Sequence, residues 1–188
     1  MSGAHGRDPG DAWVLGADGA QDWGGFGAAG PAAVDAHRGI LMQHRATWSH
    51  HGGTWGLPGG ARRLGESAID AALRETEEEI GLDRRHVELL GALPDYLTGT
   101  GFRITPLVGI VRPPFKLTLD AFEVAEAFEV PLAHFFDPAN HQRHSMAYQG
   151  RMVHFHAMPY DRHNIWGATA GIIMSLYRLM HGGPPAGD

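Results

Sequence analysis

Three glutamates set the chemistry this chain could do. Glu75, Glu78 and Glu79 stand at i, i+3 and i+4, a spacing that gathers side chains on one face of a helix. Like charges at that spacing repel by a few tenths of a kcal/mol. The negative end of the helix dipole falls in the same turn and adds to the repulsion. A bound cation reverses both effects, and hard carboxylate oxygens suit Mg²⁺ or Mn²⁺ rather than a soft metal. The ordinary alternative is a solvated acidic helix end. That alternative leaves two neighbours unexplained: the glycine pair Gly59 and Gly60 upstream, and Arg74 beside Glu75.

The element that must hold these groups is a helix predicted to begin near Glu66 and to stop at Gly81. Ala68, Ala71, Ala72 and Leu73 are strong helix formers, and glycine is a natural terminator. At about 100° per residue, Ile69, Ala72, Leu73, Thr76 and Ile80 share a face expected to pack on a core.

The spaced pattern Gly-x5-Glu-x7-Arg-Glu-U-x-Glu-Glu-x-Gly-U, with U apolar, falls on Gly60, Glu66, Arg74, Glu75, Thr76, Glu78, Glu79, Gly81 and Leu82. It resembles the Nudix box. Thr76 is the one departure, and its methyl can still pack. The resemblance implies an α/β fold, an α/β/α sandwich with a mixed β-sheet in a single domain. It implies Mg²⁺- or Mn²⁺-dependent hydrolysis of a nucleoside diphosphate linked to another group. Carried onto this chain, Glu75, Glu78 and Glu79 are metal ligands, the Gly59 or Gly60 carbonyl completes the coordination, and Arg74 holds Glu75 in place by a bidentate pair.

Glu123 to Leu132 resembles the family pattern Glu-Val-x-Glu-U-x-x-Val-Pro-Leu that follows the box, where a glutamate approaches the metals or serves as general base. Glu123 is the first candidate and Glu126 the second. Strand alternation puts Val124, Glu126, Phe128 and Val130 on one face and Glu123 on the other. Both carboxylates could equally be solvated strand residues.

A second resemblance bears on the substrate. Leu93 to Tyr96, Thr98 to Arg103, Asp137 to His141 and Ile165 to Ala170 are similar to bacterial coenzyme A pyrophosphatases of the Nudix superfamily. Those enzymes release phosphopantetheine and adenosine 3′,5′-bisphosphate. Upstream of the box the match is partial. Leu41, Met42 and Arg45 fit the start of that subfamily's signature, and Gly53 and Leu57 to Gly60 fit its end. The spacing is one residue short, and Ser49 stands where a second arginine is expected. ADP-ribose, dinucleoside polyphosphates and oxidised nucleotides are the competing substrates, and a non-catalytic nucleotide-binding module is the competing class.

Other substrate contacts are expected from chemistry. Arg45 offers a guanidinium that matches phosphate oxygens. Gly59 and Gly60 let a diphosphate approach the backbone. Tyr96, in a turn-rich loop, either stacks on a base or packs. His50 and His51 are read as a polar loop rather than metal ligands, because imidazole is not what Mg²⁺ selects; as phosphate contacts they are the nearest candidates to replace the missing arginine. His154 and His156 share a strand face, where packing is the commoner explanation.

Composition bounds the rest. The chain has 188 residues, 43% hydrophobic and 19% charged, with net charge −6. That is one globular domain with a core, and the negative charge argues against nucleic acid as a partner. Without cysteine there are no disulfides or thiolate metal sites, which fits a cytoplasmic protein. No run is long enough to span a membrane. The expected partner is a small-molecule diphosphate, and a homodimer remains open. Residues 1–27 are read as a partly disordered extension, 28–181 as the Nudix domain and 182–188 as a flexible tail.

Strands are expected at Ala28–Asp35, Gly39–His44, Val87–Leu93, Phe102–Val111, Lys116–Leu119 and Arg151–Met158, the last as the second strand of a hairpin turned at Tyr148 to Gly150. Pro106 suggests a bulge or an edge. A helix is expected over Ile165–Met180, with Ile165, Ala168, Ile172, Leu176 and Leu179 on its core face.

Overall fold

The computed structural model describes residues 14–15, 21–22, 28–34, 39–46, 55–98, 101–148 and 150–183. Ser49, His50 and His51 lie outside them. A two-stranded ladder joins β1 (Val14–Leu15) to β2 (Gln21–Asp22).

The main sheet is mixed. Its strands are β3 (Ala28–Val34), β4 (Gly39–Arg45), β5 (Trp55–Gly56), β6 (Val87–Ala92), β7 (Tyr96–Leu97), β8 (Arg103–Val111) and β9 (Val124–Pro131). The order runs β5-β4-β3-β8-β6, with β7 on β8 and β9 on β4. β3 and β8 are parallel, and the other pairings are antiparallel.

Alternation along β4 assigns the layers. Leu41 packs in a cluster with Ile80 and Leu82 at the end of helix α1 (Ala68–Ile80). Ile40 and Met42 pack in another cluster with Ile172, Ile173 and Leu176 of helix α3 (Gly167–Met180). Period-two alternation therefore faces the sheet with α1 on one side and α3 on the other. The short helix α2 (Leu132–Phe136) follows β9 and buries Phe135 beneath α3. A separate hairpin of β10 (Gln142–Tyr148) and β11 (Arg151–Ala157) also lies against α3. No helix among the described residues is long and apolar enough to cross a membrane.

Helix α1 starts two residues later than its composition suggests, because Ser67 caps it. The Asp70 backbone N–H donates to Ser67 Oγ at 3.0 Å, the arrangement that favours serine at this position. Gly81 ends the helix at φ 69°, and its N–H donates to the Glu77 carbonyl. The space also demands glycine, since a Cβ at Gly81 would meet Thr118 backbone atoms at 2.7 and 2.8 Å.

Several expectations need correction. Ile69 is 41% exposed, and Ala71 is buried in its place; the core-facing stripe of α1 is rotated toward Ala71, Ala72, Thr76, Glu79 and Ile80. Leu179 is 60% exposed, past the point where α3 leaves the core. Lys116–Leu119 is not a strand. Its backbone is used to cap α1 instead, the Thr118 N–H donating to the Ile80 carbonyl and the Asp120 N–H to that of Glu79. Those are last-turn carbonyls that no helical N–H can reach.

Pro106 sits in an interior strand, not at an edge. Its carbonyl accepts the Leu93 N–H at 2.9 Å, and its missing N–H faces the place where the neighbouring chain leaves β6 at Pro94.

Candidate active site

The glycine loop and α1 are pinned together by Glu79. This carboxylate is 1% exposed. Its Oε2 accepts the Gly59 backbone N–H at 2.8 Å and Gln43 Nε2 of β4 at 2.9 Å. Glu79 is thus turned into the protein and does not share an exposed acidic face with Glu78, which is half exposed. Gly59 holds φ 142°, a conformation side chains rarely adopt.

Arg74 organises the remaining acids. Its Nε donates to Glu66 Oε1 at 2.8 Å and its Nη2 to Glu66 Oε2 at 3.0 Å. Its Nη1 donates to Glu75 Oε1 at 2.6 Å and to Glu78 Oε2 at 2.7 Å. A further bond from Nη2 reaches the Ala61 carbonyl at 3.1 Å. The bidentate partner is therefore Glu66, not Glu75. Glu75 shares a single nitrogen with Glu78. One planar fork fixes three carboxylates and the loop, which an ammonium cannot copy.

The titration of these acids reflects that arrangement. Hydrogen bonds from Arg74, opposed by burial and helped by the Arg63 backbone N–H, hold Glu66 down to about 2. Burial raises Glu75 above the usual carboxylate range; Arg74 opposes this, and the charges of Glu78 and Glu123 add to it. Glu123, just ahead of β9, is thereby placed within electrostatic reach of Glu75. Its carbonyl accepts the Ala46 N–H at 2.7 Å, tying it to the end of β4. Glu126 is committed elsewhere: Arg162 Nη2 donates to its Oε1 at 2.6 Å.

Because Glu66 titrates low in the fold and near 4.5 when unfolded, its contribution to stability is complete above that value. It is lost as pH falls toward about 2. Chemical denaturation of wild type and Glu66→Gln should therefore diverge most near neutral pH and converge on acidification. An unchanged gap at about pH 3 would contradict the Glu66–Arg74 pairing.

Gly60 touches the same group. A Cβ there would stand 2.2 Å from Glu75 Oε2. The obstructed atom is the end of a flexible side chain, so Gly60→Ala should move the Glu75 carboxylate more than it unfolds the protein. The expected result is a loss of turnover of roughly tenfold or more with a nearly unchanged melting temperature. Full activity in Gly60→Ala would show that Glu75 needs no fixed position.

Among the described residues, no three acidic or imidazole groups already converge on a common point. The donor chemistry nonetheless fits a hard divalent ion. Glu75, Glu78 and Glu123 offer carboxylate oxygens, and Glu75 is raised in part by its two neighbours' charge. That repulsion is what a cation relieves.

The other expected contacts divide. Tyr96 is half-buried against α3, its hydroxyl 2.4 Å from where a Gly171 Cβ would lie, so it packs. Arg45 ends β4, and its side chain lies outside the described residues. His154 meets Ser145 across the hairpin at 2.6 Å. Sequence reasoning gave no role to Gln43 and none to Glu66 beyond its place in the pattern; the fixed distance from Glu66 to Arg74 was the signal that could have found the clamp.

A family model described as the NUDIX domain matches residues 27–150. The chain belongs to the Nudix family. Among curated relatives, an "Uncharacterized Nudix hydrolase NudL" of Escherichia coli K12 is 37% identical over 110 residues, 58% of this chain. That match spans 57% of the relative's length. One of the same name from Citrobacter koseri is 35% identical over 148 residues, 78% of this chain and 77% of its own. Among solved structures, a Nudix hydrolase from M. smegmatis, RenU, superposes with TM-score 0.62 and 26% identity, covering 95% of this chain and 100% of that one. A C. elegans Ap4A hydrolase reaches 0.50 at 19% identity over 56% of this Nudix chain and 80% of its own; it speaks to the fold alone. The mixed sheet between α1 and α3 is the Nudix α/β/α sandwich.

Proposed function

We propose that this Nudix protein hydrolyses the diphosphate of a nucleoside diphosphate-linked small molecule, with coenzyme A as the preferred substrate. The observation that carries the chemistry is the Arg74 fork joining Glu66, Glu75 and Glu78 above a glycine that touches Glu75. The downstream segments around Tyr96, Asn140 and Trp166 support coenzyme A by their resemblance.

Glu75 and Glu78, with the Gly60 carbonyl, would hold Mg²⁺ or Mn²⁺, while Glu79, turned onto the Gly59 N–H and Gln43, fixes the loop that carries that carbonyl. When bound, the ions neutralise the diphosphate and make water a better nucleophile. Glu123 is the proposed general base, because its charge reaches Glu75 while Glu126 is paired with Arg162. Arg74 keeps the carboxylates oriented and is a positioning residue. Arg45, Gly59 and Gly60 are the proposed contacts of the diphosphate. The small, soluble substrate and the absence of cysteine support a cytoplasmic setting.

The test is a panel of coenzyme A, ADP-ribose, dinucleoside polyphosphates and oxidised nucleotides, run with Mg²⁺ and with Mn²⁺ and read by mass spectrometry. Coenzyme A should yield phosphopantetheine and adenosine 3′,5′-bisphosphate. Intact coenzyme A at millimolar concentration, beside cleaved ADP-ribose, would overturn the substrate assignment and leave the chemistry standing.

A further inference from the structure

Residues 138–183 carry the opposite charge to the rest of the chain. Between Asp137 and Asp188 the one carboxylate side chain is Asp161, against Arg143, Arg151, Arg162, Arg178 and six histidines. In a chain of net charge −6 this segregation builds a local positive potential.

The fold concentrates it. The hairpin register sets Arg143 directly opposite His156. β11 lies along α3, and the His141 ring meets Tyr177 of α3 at 4.8 Å. The next residue is Arg178, half-buried. The His156 imidazole is pushed below its ordinary range by burial first, then by Arg178, Arg143 and His141. Among the described residues no carboxylate is one of the groups that shift it.

Neither Arg143 nor Arg178 makes a hydrogen bond or ion pair through its guanidinium among the described residues. By contrast Arg74, Arg84, Arg85, Arg112 and Arg162 all end on carboxylates. The last-turn carbonyls of α3 favour a cation at Arg178, but they do nothing for Arg143 or for an imidazole held among cations. A dianion does, and the guanidinium fork matches phosphate oxygens. The cluster belongs to the α3 side of the sheet, away from α1.

We infer that Arg143, His156 and Arg178, with His141 at the rim, form a binding site for the phosphate monoester group of a soluble ligand, separate from the candidate active site.

The probe is inorganic phosphate, titrated into the full-length, metal-free protein at constant ionic strength against chloride, with the His156 ring followed by NMR. Saturable binding is expected, with an upward shift of the His156 titration. Arg143→Gln and Arg178→Gln should each weaken affinity by about tenfold or more, the fold-change of one lost charge-assisted contact. Arg143 is exposed, so its variant should fold. Glu78→Gln, which alters the box, should bind phosphate as wild type does. Three results would overturn the site: no saturation, wild-type affinity in both arginine variants, or loss of binding in Glu78→Gln.

Discussion

Glu78→Gln is expected to reduce turnover at saturating Mg²⁺ by roughly 10²–10³-fold, the scale of losing one charge-stabilising group at a transition state. The melting temperature of the metal-free protein should change little. Sequence reasoning alone expects a small gain, because removing a carboxylate from i, i+3 and i+4 neighbours relieves repulsion. The structure removes that expectation. Glu78 is paired with Arg74 at 2.7 Å and Arg63 at 3.2 Å, and Glu79 points away from it into the protein. Half-exposed pairs of this kind contribute about 0–1 kcal/mol, enough to cancel the relief. Turnover at the wild-type rate in Glu78→Gln would remove Glu78 from the site. A large gain in metal-free stability would show that the two arginine pairs are not formed in solution.

Arg74→Lys is the second large effect. Lysine keeps the charge but offers one nitrogen where arginine uses three, so it cannot hold Glu66 bidentately and reach Glu75 and Glu78 as well. Activity should fall about 10–100-fold, as when a group that orients metal ligands is lost. Stability should fall too, by about 1–3 kcal/mol, because Glu66 and the Ala61 carbonyl lose partners in a half-buried setting. Thermal unfolding and steady-state kinetics on one preparation separate the two effects. Full activity in Arg74→Lys would reduce Arg74 to a surface charge, and loss of activity at unchanged stability would mean that Glu66 finds another partner.

The box was legible in sequence because its spacing is a local property. Ala-rich composition, Gly81 and the positions of Arg74, Glu75 and Glu78 all refer to one helix, and the helix is there. What failed is what depends on distant chain. Ile69 and Ala71 are two residues apart, and the sheet strands that α1 packs on, β3 among them, decide which is covered. Lys116–Leu119 has the composition of a strand, yet the unpaired carbonyls of Ile80 and Glu79 recruit it as a cap. Pro106 is tolerated inside the sheet because Pro94 takes the neighbouring strand away. The direction of Glu79 follows from Gln43, on a strand thirty-six residues earlier, and no periodicity within α1 carries that information. The hairpin of β10 and β11 follows from a local turn signal, and β10 is held by its register with β11 rather than by a buried face.

If these carboxylates direct water to phosphorus in a metal-dependent reaction, turning over the panel's best diphosphate in ¹⁸O-enriched water, with and without Mg²⁺, should mark the product, with the label located by mass spectrometry. One ¹⁸O is expected on a phosphoryl group of one product, formed with Mg²⁺ and not after its removal. Tight nucleotide binding with no labelled product in Mg²⁺ or Mn²⁺ would contradict it and make the chain a binding module.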